Sequence, residues 1–314
     1  MASPVTWLVA VEAEPAWIDE HAAELAAGFA AVEASLSRFR PDSELTVLNQ
    51  AVGRPVAVSP LLYTALSLAY RAWRVSGGRF DPRVIDALER LGYRGAPRAG
   101  AGPASFPPGT GPWLRRHPRT HRVVLAGPVD LGGIGKSLAV WQGVRRLTRF
   151  LQARGVTPPP MLLNAGGDLA MVGPATPRPH GWRVGVEHPG DPAALAAVLE
   201  FGEASAVCTS SVARRRWIHE GRWVHHLIDP ATQQPGGAGL LSVTVAHPRP
   251  TWAEVWSKVL FLAGADRIAH EAATRGLKAW WVTAAGTFHA TPRAARHVRW
   301  VHPELAGPLS APPP

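Results

Sequence analysis

The stretch Asp130-Leu131-Gly132-Gly133-Ile134-Gly135-Lys136-Ser137 decides the local fold and suggests what the chain binds. Residues 123–125 before it favour a strand, and apolar residues recur at helical spacing from 138 to 150. The pattern predicts a strand, a glycine turn and a helix whose first turn carries a lysine. Glycine lets backbone N–H groups approach an anion, and a helix N-terminus adds partial positive charge, so the stretch can hold phosphate. A tight turn without a ligand is the other interpretation, and the residues alone leave both open.

Composition excludes several classes of protein. The chain has 314 residues, of which 46% are hydrophobic and 18% are charged, as in a globular protein with a sizeable core. The formal net charge is +10, but the arginines are scattered, so we interpret the charge as compositional bias and expect no nucleic-acid partner. No apolar run of about twenty residues is present, and we expect no membrane span.

The single cysteine and the first residues bear on the compartment. Cys208 excludes an intramolecular disulfide and a cysteine-based metal site, and its apolar neighbours predict a buried small residue. The N-terminus lacks the basic segment of a signal peptide, and residues 5–11 are predicted to form a strand. As written, the sequence predicts a cytoplasmic protein; an exported form is expected only if the true start lies upstream.

Periodicity along the chain predicts an α+β fold with mixed or antiparallel sheets packed against helices. Helices are predicted at 15–36, 60–75, 84–91, after 135 and at 251–263. Strands are predicted at 5–11, 56–58, 161–164, 182–187, 194–201, 204–209, 240–246, 278–283 and 287–290. We expect one domain over 1–303, with a flexible Pro/Gly/Arg-rich insertion at 94–120 and a loose tail at 304–314.

Six motifs occur in the order found in one protein family. They are Ser37 to Leu45 with Asn49, Gly78 to Pro82, Asp130 to Lys136, Asn164 to Asp168, Thr209-Ser210, and His226 to Pro230. Residues 1–4 also resemble the opening of that family's domain. On these motifs, which cover most of the chain, the sequence resembles the ApbE-like FAD:protein FMN transferases, the flavin transferases.

The resemblance implies a fold, a reaction and partners. The chain is expected to have the ApbE-like flavin transferase fold and to move FMN from FAD onto a Thr or Ser hydroxyl of an acceptor flavoprotein. AMP would leave, and Mg²⁺ would assist by bridging phosphate oxygens. FAD is then a substrate. Two alternatives stay open: an FAD-binding protein without catalysis, and an FAD pyrophosphatase that releases FMN and AMP.

The resemblance also implies which residues contact FAD. These are Met1, Phe39, Arg79, Phe80, Asp81, Asp130, Lys136, His226 and Leu227. His226 is the expected catalytic residue, because it can orient phosphate or assist proton transfer. From the residues alone, the two phenylalanines could be core residues, Asp81 could cap a helix, and His226 could be structural.

The expected metal position is the place where the chain departs from the family. The resemblance implies Gly133, Glu254, Ser257 and Lys258 around Mg²⁺, with Glu254 and Lys258 where the family has an Asp and a Thr. Spacing of four residues places Glu254 and Lys258 on one helix face. A charged lysine cannot be a metal ligand, so Lys258 is predicted to pair with Glu254 or to occupy the metal position. Either the ammonium supplies part of the Mg²⁺ charge or the site is lost.

Overall fold

The computed structural model describes residues 4–10, 17–96, 111–173 and 181–306. Within these ranges the chain forms two compact units. Unit 1 contains residues 26–139 and 216–236, and unit 2 contains residues 2–25, 140–215 and 237–314. The expected single-domain organisation over 1–303 stays a prediction.

The described residues contain both helices and strands in mixed order. The α-helices are α1 (Trp17–Leu36), α2 (Glu44–Asn49), α3 (Pro60–Val75), α4 (Ile85–Arg90), α5 (Gly135–Ala153), α6 (Pro250–Ala263), α7 (Ala265–Thr274) and α8 (Pro292–Ala295). The strands are β1 (Val5–Val9), β2 (Val56–Ala57), β3 (Leu114–His117), β4 (Arg122–Leu125), β5 (Met161–Ala165), β6 (Asp168–Val172), β7 (Trp182–Glu187), β8 (Leu195–Phe201), β9 (Ser205–Ser211), β10 (Arg216–His219), β11 (Arg222–His225), β12 (Ile228–Asp229), β13 (Gln234–Pro235), β14 (Leu240–His247), β15 (Lys278–Thr283), β16 (Phe288–Ala290) and β17 (Val298–Val301). Single 3₁₀ turns cover Pro82–Val84 and Pro303–Leu305.

Unit 2 is built on a seven-stranded antiparallel sheet in the order β1-β5-β6-β9-β14-β15-β16. A second antiparallel sheet has the order β17-β8-β7. The two sheets share one core, in which Phe201 of β8 meets Trp280 of β15 edge to face, with ring centroids 6.1 Å apart. Helix α6 packs on β9 and β14, which places its buried face against the sheet. This packing fixes where its polar residues lie.

Unit 1 carries short helices, small sheets and the glycine turn. Helix α3 begins where the Ser59 hydroxyl accepts the backbone N–H of Leu62 at 3.1 Å, with Pro60 as its first residue. Strands β2, β4 and β3 form one sheet, and β10 and β11 form a hairpin. Trp217 on the hairpin donates its indole N–H to the Leu91 carbonyl at 2.6 Å, which anchors the hairpin to the segment after α4.

The predicted α+β class with mainly antiparallel sheets is confirmed. The predicted strands of unit 2 agree with the observed ones to within a few residues at each end. The elements that were not predicted include helices α7 and α8, the β10–β11 hairpin and strands β3, β6 and β17. The part of the predicted helix at 15–36 that precedes Trp17 lies outside the described residues.

Two segments expected to be loose are ordered where the structure describes them. Strand β3 lies inside the predicted insertion at 94–120. This part of the insertion is ordered because β3 pairs with β4 and the neighbouring Trp113 is only 1% exposed. Residues 97–110 of that insertion lie outside the described residues. In the predicted tail, Leu305 is buried within the last 3₁₀ turn. Among the described helices, none has the length and apolarity needed to cross a membrane.

Candidate functional site

The glycine turn of unit 1 has the predicted strand–turn–helix arrangement. Strand β4 ends at Leu125, and α5 begins at Gly135, so Lys136 lies in the first turn of the helix. The Asp130 carboxylate accepts the backbone N–H of Gly132 at 2.6 Å, which closes the turn. A Cβ at position 132 would lie 3.0 Å from that same Asp130 oxygen, so a larger residue would crowd the carboxylate. Glycine at position 132 therefore leaves room for the close approach of the Asp130 side chain.

A buried arginine orients Asp130. Arg38 is 3% exposed, and its Nε lies 3.0 Å from Asp130 Oδ2. Its Nη2 donates to the Tyr93 carbonyl at 2.8 Å, and its Nη1 lies 3.7 Å from Glu89 Oε1. The Arg38 Nε and Nη1 contacts are ion pairs without hydrogen-bond geometry. Sequence reasoning quoted Arg38 within a motif but gave it no role, although it fixes the carboxylate of the turn.

The backbone that leads into the turn is held on both sides. The Asn49 side chain donates to the Val129 carbonyl and accepts the Val129 N–H, both at 2.9 Å. The next backbone N–H, that of Asp130, donates to the Pro82 carbonyl at 2.8 Å. Asn49 is 7% exposed, so these hydrogen bonds are shielded from water. The position of Asp130 is thus set before any ligand binds.

The residues after α3 are engaged in local structure. The Asp81 carboxylate caps the 3₁₀ turn by accepting the Arg83 N–H at 2.9 Å, and it also accepts from the Arg83 guanidinium at 2.6 Å. Phe80 is 7% exposed, and its N–H donates to the Ser76 hydroxyl at 3.0 Å. Arg79 is half-buried. The cap and core interpretations of Asp81 and Phe80 are therefore correct, and their contact with FAD stays a prediction.

Phe39 differs from Phe80 because it is not a core residue. Its side chain is 50% exposed. The ring lies 5.5 Å from the ring of Tyr93, edge to face, and the Arg38 guanidinium lies 4.5 Å from its centroid. Tyr93 in turn stacks on Trp217 at 5.2 Å. An exposed aromatic ring held from one side offers its other side for stacking.

The segment after β11 contains the predicted catalytic histidine. His226 is half-buried, whereas Leu227 is 4% exposed and its carbonyl accepts the Gly236 N–H at 3.0 Å. The adjacent His225 accepts the Leu227 N–H on Nδ1 at 3.3 Å, and burial lowers the pKa of His225. His225 is therefore neutral at pH 7, and its hydrogen bond with the Leu227 backbone has a structural role. The catalytic role of His226 stays a prediction, and Met1 lies outside the described residues.

In unit 2, helix α6 carries the predicted metal residues. Glu254 is 2% exposed, and Lys258 Nζ lies 3.1 Å from its Oε1. The predicted pairing of these two residues on one helix face is confirmed. Ser257 is fully buried; its hydroxyl donates to the Glu254 carbonyl at 2.9 Å and lies 2.8 Å from the Ser210 hydroxyl. Gly133, the fourth predicted metal residue, belongs to unit 1.

Buried charges surround the same part of α6. Asp168 at the start of β6 is 2% exposed, and Cys208 on β9 is fully buried. Burial raises the pKa of the Cys208 thiol well above its usual range, and the carboxylates of Asp168 and Glu254 raise it further. Lys258 acts in the opposite direction on that pKa, which shows that its charge lies in the same cluster. Cys208 is the buried small residue that the sequence predicted.

The residues on α6 do not fit a divalent cation. Mg²⁺ demands oxygen ligands in nearly octahedral geometry, at about 2.0–2.1 Å. The buried Glu254 carboxylate already accepts a hydrogen bond from the Lys258 ammonium at 3.1 Å. The Ser257 hydroxyl donates to its own helix, and a charged lysine has no lone pair to offer. The expected Mg²⁺ site stays a prediction that this donor set argues against.

A second group of possible metal ligands lies in unit 2. His188, His302 and Glu304 place ligand atoms within 4.8 Å of one another. However, His188 Nδ1 accepts backbone N–H groups from Gly190 at 3.2 Å and Asp191 at 3.0 Å. In a neutral imidazole this places the proton on Nε2, which then has no lone pair for a metal. The group is better explained as a turn held by histidine.

The architecture defines the class of protein. The chain matches the "apbe protein" of Thermotoga maritima with a TM-score of 0.81 at 22% identity, over 94% of this chain and 96% of that one. The flavinyl transferase ApbE of Pseudomonas stutzeri gives a TM-score of 0.74 at 21% identity, over 94% and 97% of the two chains. At these identities the likeness shows the fold, which is the predicted flavin transferase fold.

Sequence comparison shows the family. Residues 1–281 match the ApbE family, and the chain therefore belongs to it. An FAD:protein FMN transferase of Treponema pallidum (strain Nichols) is 28% identical over 259 residues, which cover 75% of this chain and 69% of the relative. An FAD:protein FMN transferase of Escherichia coli (strain K12) is 29% identical over 162 residues, which cover 50% and 43%. The resemblance stated from the motifs is confirmed.

Proposed function

We propose that this chain is an FAD:protein FMN transferase that acts on a Thr or Ser hydroxyl of an acceptor flavoprotein. Membership of the ApbE family, together with relatives that carry this activity in their names, supports the reaction class. The observation that carries the proposal is the glycine turn, where a preset carboxylate precedes a helix N-terminus with a lysine in its first turn. No contact among the described residues favours either alternative function.

The reaction balances without any other reactant. The acceptor hydroxyl oxygen forms a bond to the phosphorus of the FMN half, and the bond from that phosphorus to the bridging oxygen breaks. The electron pair leaves with AMP, and the hydroxyl proton passes to a base or to water. The protein forms no covalent bond in such a transfer. It accelerates the reaction by positioning the two reactants and by stabilising the charge on the transferred phosphoryl group.

The residues of unit 1 would contribute in distinct ways. The ammonium of Lys136 and the first backbone N–H groups of α5 supply positive charge for phosphate. The Asp130 carboxylate, held by Arg38, would accept a hydrogen bond from FAD at a fixed position. The exposed Phe39 ring would stack on an aromatic ring of the cofactor. Arg79, Phe80, Asp81 and Leu227 would shape the nucleotide pocket, and Met1 would lie at its edge.

His226 is the proposed proton-transfer residue. The resemblance implies that His226 lies near the pyrophosphate of FAD, and its side chain is half-buried. The imidazole of a neutral histidine can take the hydroxyl proton as the new bond to phosphorus forms. His226→Gln should then slow transfer while leaving FAD binding largely intact.

The experiment is incubation of the purified chain with FAD and an acceptor domain, followed by a denaturing gel read for flavin fluorescence. A fluorescent acceptor band, absent when the acceptor hydroxyl residue is replaced by Val or Ala, supports the transferase. Free FMN and AMP with a dark band indicate a pyrophosphatase, and unchanged FAD in a stable complex indicates a binding protein. Either of those outcomes contradicts the proposal.

A matched pair of lysine variants tests the site itself. Lys136→Met should lower FAD affinity because it removes the charge next to the turn. Lys278→Met is the control, since Lys278 lies on β15 and pairs with Glu203 at 3.6 Å. Equal loss in both variants would show that overall charge matters and that the turn does not.

A further inference from the structure

The β10–β11 hairpin of unit 1 carries an exposed apolar pair. Ile218 and Trp223 are 62% and 66% exposed, more than the other large hydrophobic residues that the structure describes. They stand directly opposite each other in the hairpin register, so both side chains project from one face. Arg216 lies two residues before Ile218 and projects from the same face. We call this side of the hairpin, formed by Arg216, Ile218 and Trp223, the outer face.

The inner face of the hairpin is already occupied by its own unit. Trp217 donates its indole N–H to the Leu91 carbonyl at 2.6 Å, and the Tyr93 ring stacks on the Trp217 ring at 5.2 Å. A Cβ at Gly92 would lie only 3.7 Å from Trp217 Nε1, so the two segments pack closely. Val224, which pairs with Trp217, is 9% exposed. The inner face therefore holds the hairpin in place, and a partner on the outer face would meet a preorganised surface.

An arginine gives the outer face a positive charge. The Arg216 guanidinium carbon lies 5.1 Å from the centroid of the Trp223 ring, in a cation–π contact. Arg216 is exposed and makes no ion pair with any residue that the structure describes, whereas the exposed Arg40 and Arg214 each pair with a carboxylate. Tryptophan and arginine are the residue types that contribute most to protein interfaces. The outer face is therefore suited to a protein partner that brings an apolar side chain and a carboxylate.

The outer face is adjacent to the candidate site along the chain. Strand β11 ends at His225, and the proposed proton-transfer residue His226 follows it directly. His226 comes three positions after Trp223, and an extended chain spans at most about 3.6 Å per residue, so their Cα atoms lie within about 11 Å. A protein that brings a hydroxyl to a phosphorus near His226 therefore has the residues around that hydroxyl within reach of the outer face.

We propose that the outer face of the hairpin is the docking surface for the acceptor flavoprotein. Trp223 and Ile218 receive an apolar side chain of the acceptor, and Arg216 pairs with a carboxylate that lies close to the flavinylated Thr or Ser. The inference rests on the proposed function, because that reaction requires a protein to approach His226. It goes beyond that function by naming the surface that selects the acceptor and the chemistry of the segment that it selects.

The first test measures binding without transfer. The probe is an isolated acceptor domain whose flavinylation Thr or Ser is replaced by Val, labelled for fluorescence anisotropy and titrated with the full chain in the absence of FAD. Trp223→Ser should raise the dissociation constant about thirtyfold, as expected for a tryptophan at the centre of an interface. Trp300→Ser is the matched control, because Trp300 is 43% exposed but lies on β17 of unit 2, and its effect should stay within about twofold.

A double-mutant cycle tests the charge on the outer face. Arg216→Gln should weaken acceptor binding about threefold to tenfold, and this loss should disappear when the carboxylates that flank the acceptor residue are replaced by amides. Arg222→Gln is the control, because Arg222 is also exposed but pairs with His219 on the opposite face of the hairpin. Its effect should stay below about twofold at about 0.15 M salt, where solvent screens exposed charges. Thermal unfolding of each variant establishes that it is folded before binding is measured.

Steady-state transfer gives a second, independent measurement. In Trp223→Ser the KM for the reactive acceptor domain should rise about thirtyfold, while the KM for FAD should stay within about twofold of the wild-type value. A loss confined to FAD, with acceptor binding unchanged, would overturn the inference. Sedimentation of the wild-type chain tests the other possible occupant: a dimer that Trp223→Ser converts to a monomer would place a second copy on the outer face and would also overturn the inference.

The outcomes separate this inference from the proposed function. Transfer of FMN with equal acceptor affinity in wild type and Trp223→Ser would overturn the inference and leave the transferase intact. A wild-type chain that does not bind the acceptor domain would overturn the inference as well. Acceptor binding that Trp223→Ser abolishes, in a chain that transfers no FMN, would support the docking surface and contradict the transferase.

Discussion

The contact between Arg38 and Asp130 gives the sharpest prediction on stability. The Arg38 side chain is 2% exposed, whereas those of Asp130 and Glu89 are 15% and 26% exposed. Arg38→Met would remove the cation that lies beside the Asp130 and Glu89 carboxylates and the donor to the Tyr93 carbonyl. Removing one partner of a buried pair costs about 3–5 kcal/mol, and partial exposure of the carboxylates places this case near about 3 kcal/mol. For a protein of this size the midpoint should fall by about 4–5 °C.

The assay is thermal unfolding followed by circular dichroism at pH 7.5, with Arg40→Met as the matched control. Arg40 is the same residue type two positions along the chain, but its pair with Asp42 is exposed to solvent, so its replacement should leave the midpoint unchanged. Arg38→Lys should lie between wild type and Arg38→Met, because lysine keeps the charge and loses the planar fork. A midpoint for Arg38→Met within about 1 °C of the control would refute the structural role given to this arginine.

Three further predictions concern the two units. Gly237→Ala should destabilise the protein far more than Gly53→Ala. Both glycines have a positive φ, but only a Cβ at position 237 would overlap a ring, that of Phe261. Chemical unfolding of both variants measures the difference. Burial lowers the pKa of His297, so the unfolded chain binds more protons below about pH 6.5 and stability should fall with acidity; His297→Gln should flatten that fall in unfolding scans between about pH 7.5 and 5.5. The buried Cys208 thiol, with its raised pKa, should react with a thiol reagent only after denaturation, and rapid reaction of the native protein would contradict its burial.

Features that are local in sequence could be predicted. Glu254 and Lys258 are four residues apart on a helical pattern, so their pairing follows from helix geometry alone. The buried run that begins at Met161 and the alternation in Trp182–Glu187 likewise identify strands β5 and β7. In each case the residues that determine the structure lie within one element.

The β10–β11 hairpin shows where periodicity fails. Each of its strands has four residues, of which the two apolar ones are adjacent, so the strands lack the alternation of a half-buried strand. Trp217 nevertheless anchors the hairpin through one hydrogen bond. The local signal that could have identified it is the turn. Glu220 and Gly221 have φ angles of 47° and 74°, as in the two-residue turns that close hairpins, and a glycine in such a turn is readable from sequence.

The site could be predicted only in part, because its key contacts join distant segments. The turn at Asp130 was evident from its glycines, but the buried Arg38 that orients the carboxylate lies far away in sequence, and no local pattern links the two residues. Asn49 reaches Val129 across a similar separation. For Asp81 and Phe80 the residue types allowed both a structural and a cofactor role, and the contacts within the chain are structural.

The central claim is that the chain forms a covalent bond between FMN and an acceptor protein. Intact-mass measurement of the acceptor after incubation with FAD, paired with quantification of released AMP, tests this most directly. The proposed reaction predicts that each modified acceptor gains one FMN less one water on a single Thr or Ser, with one AMP released per acceptor. An acceptor of unchanged mass, with either intact FAD or free FMN and AMP in solution, would contradict it.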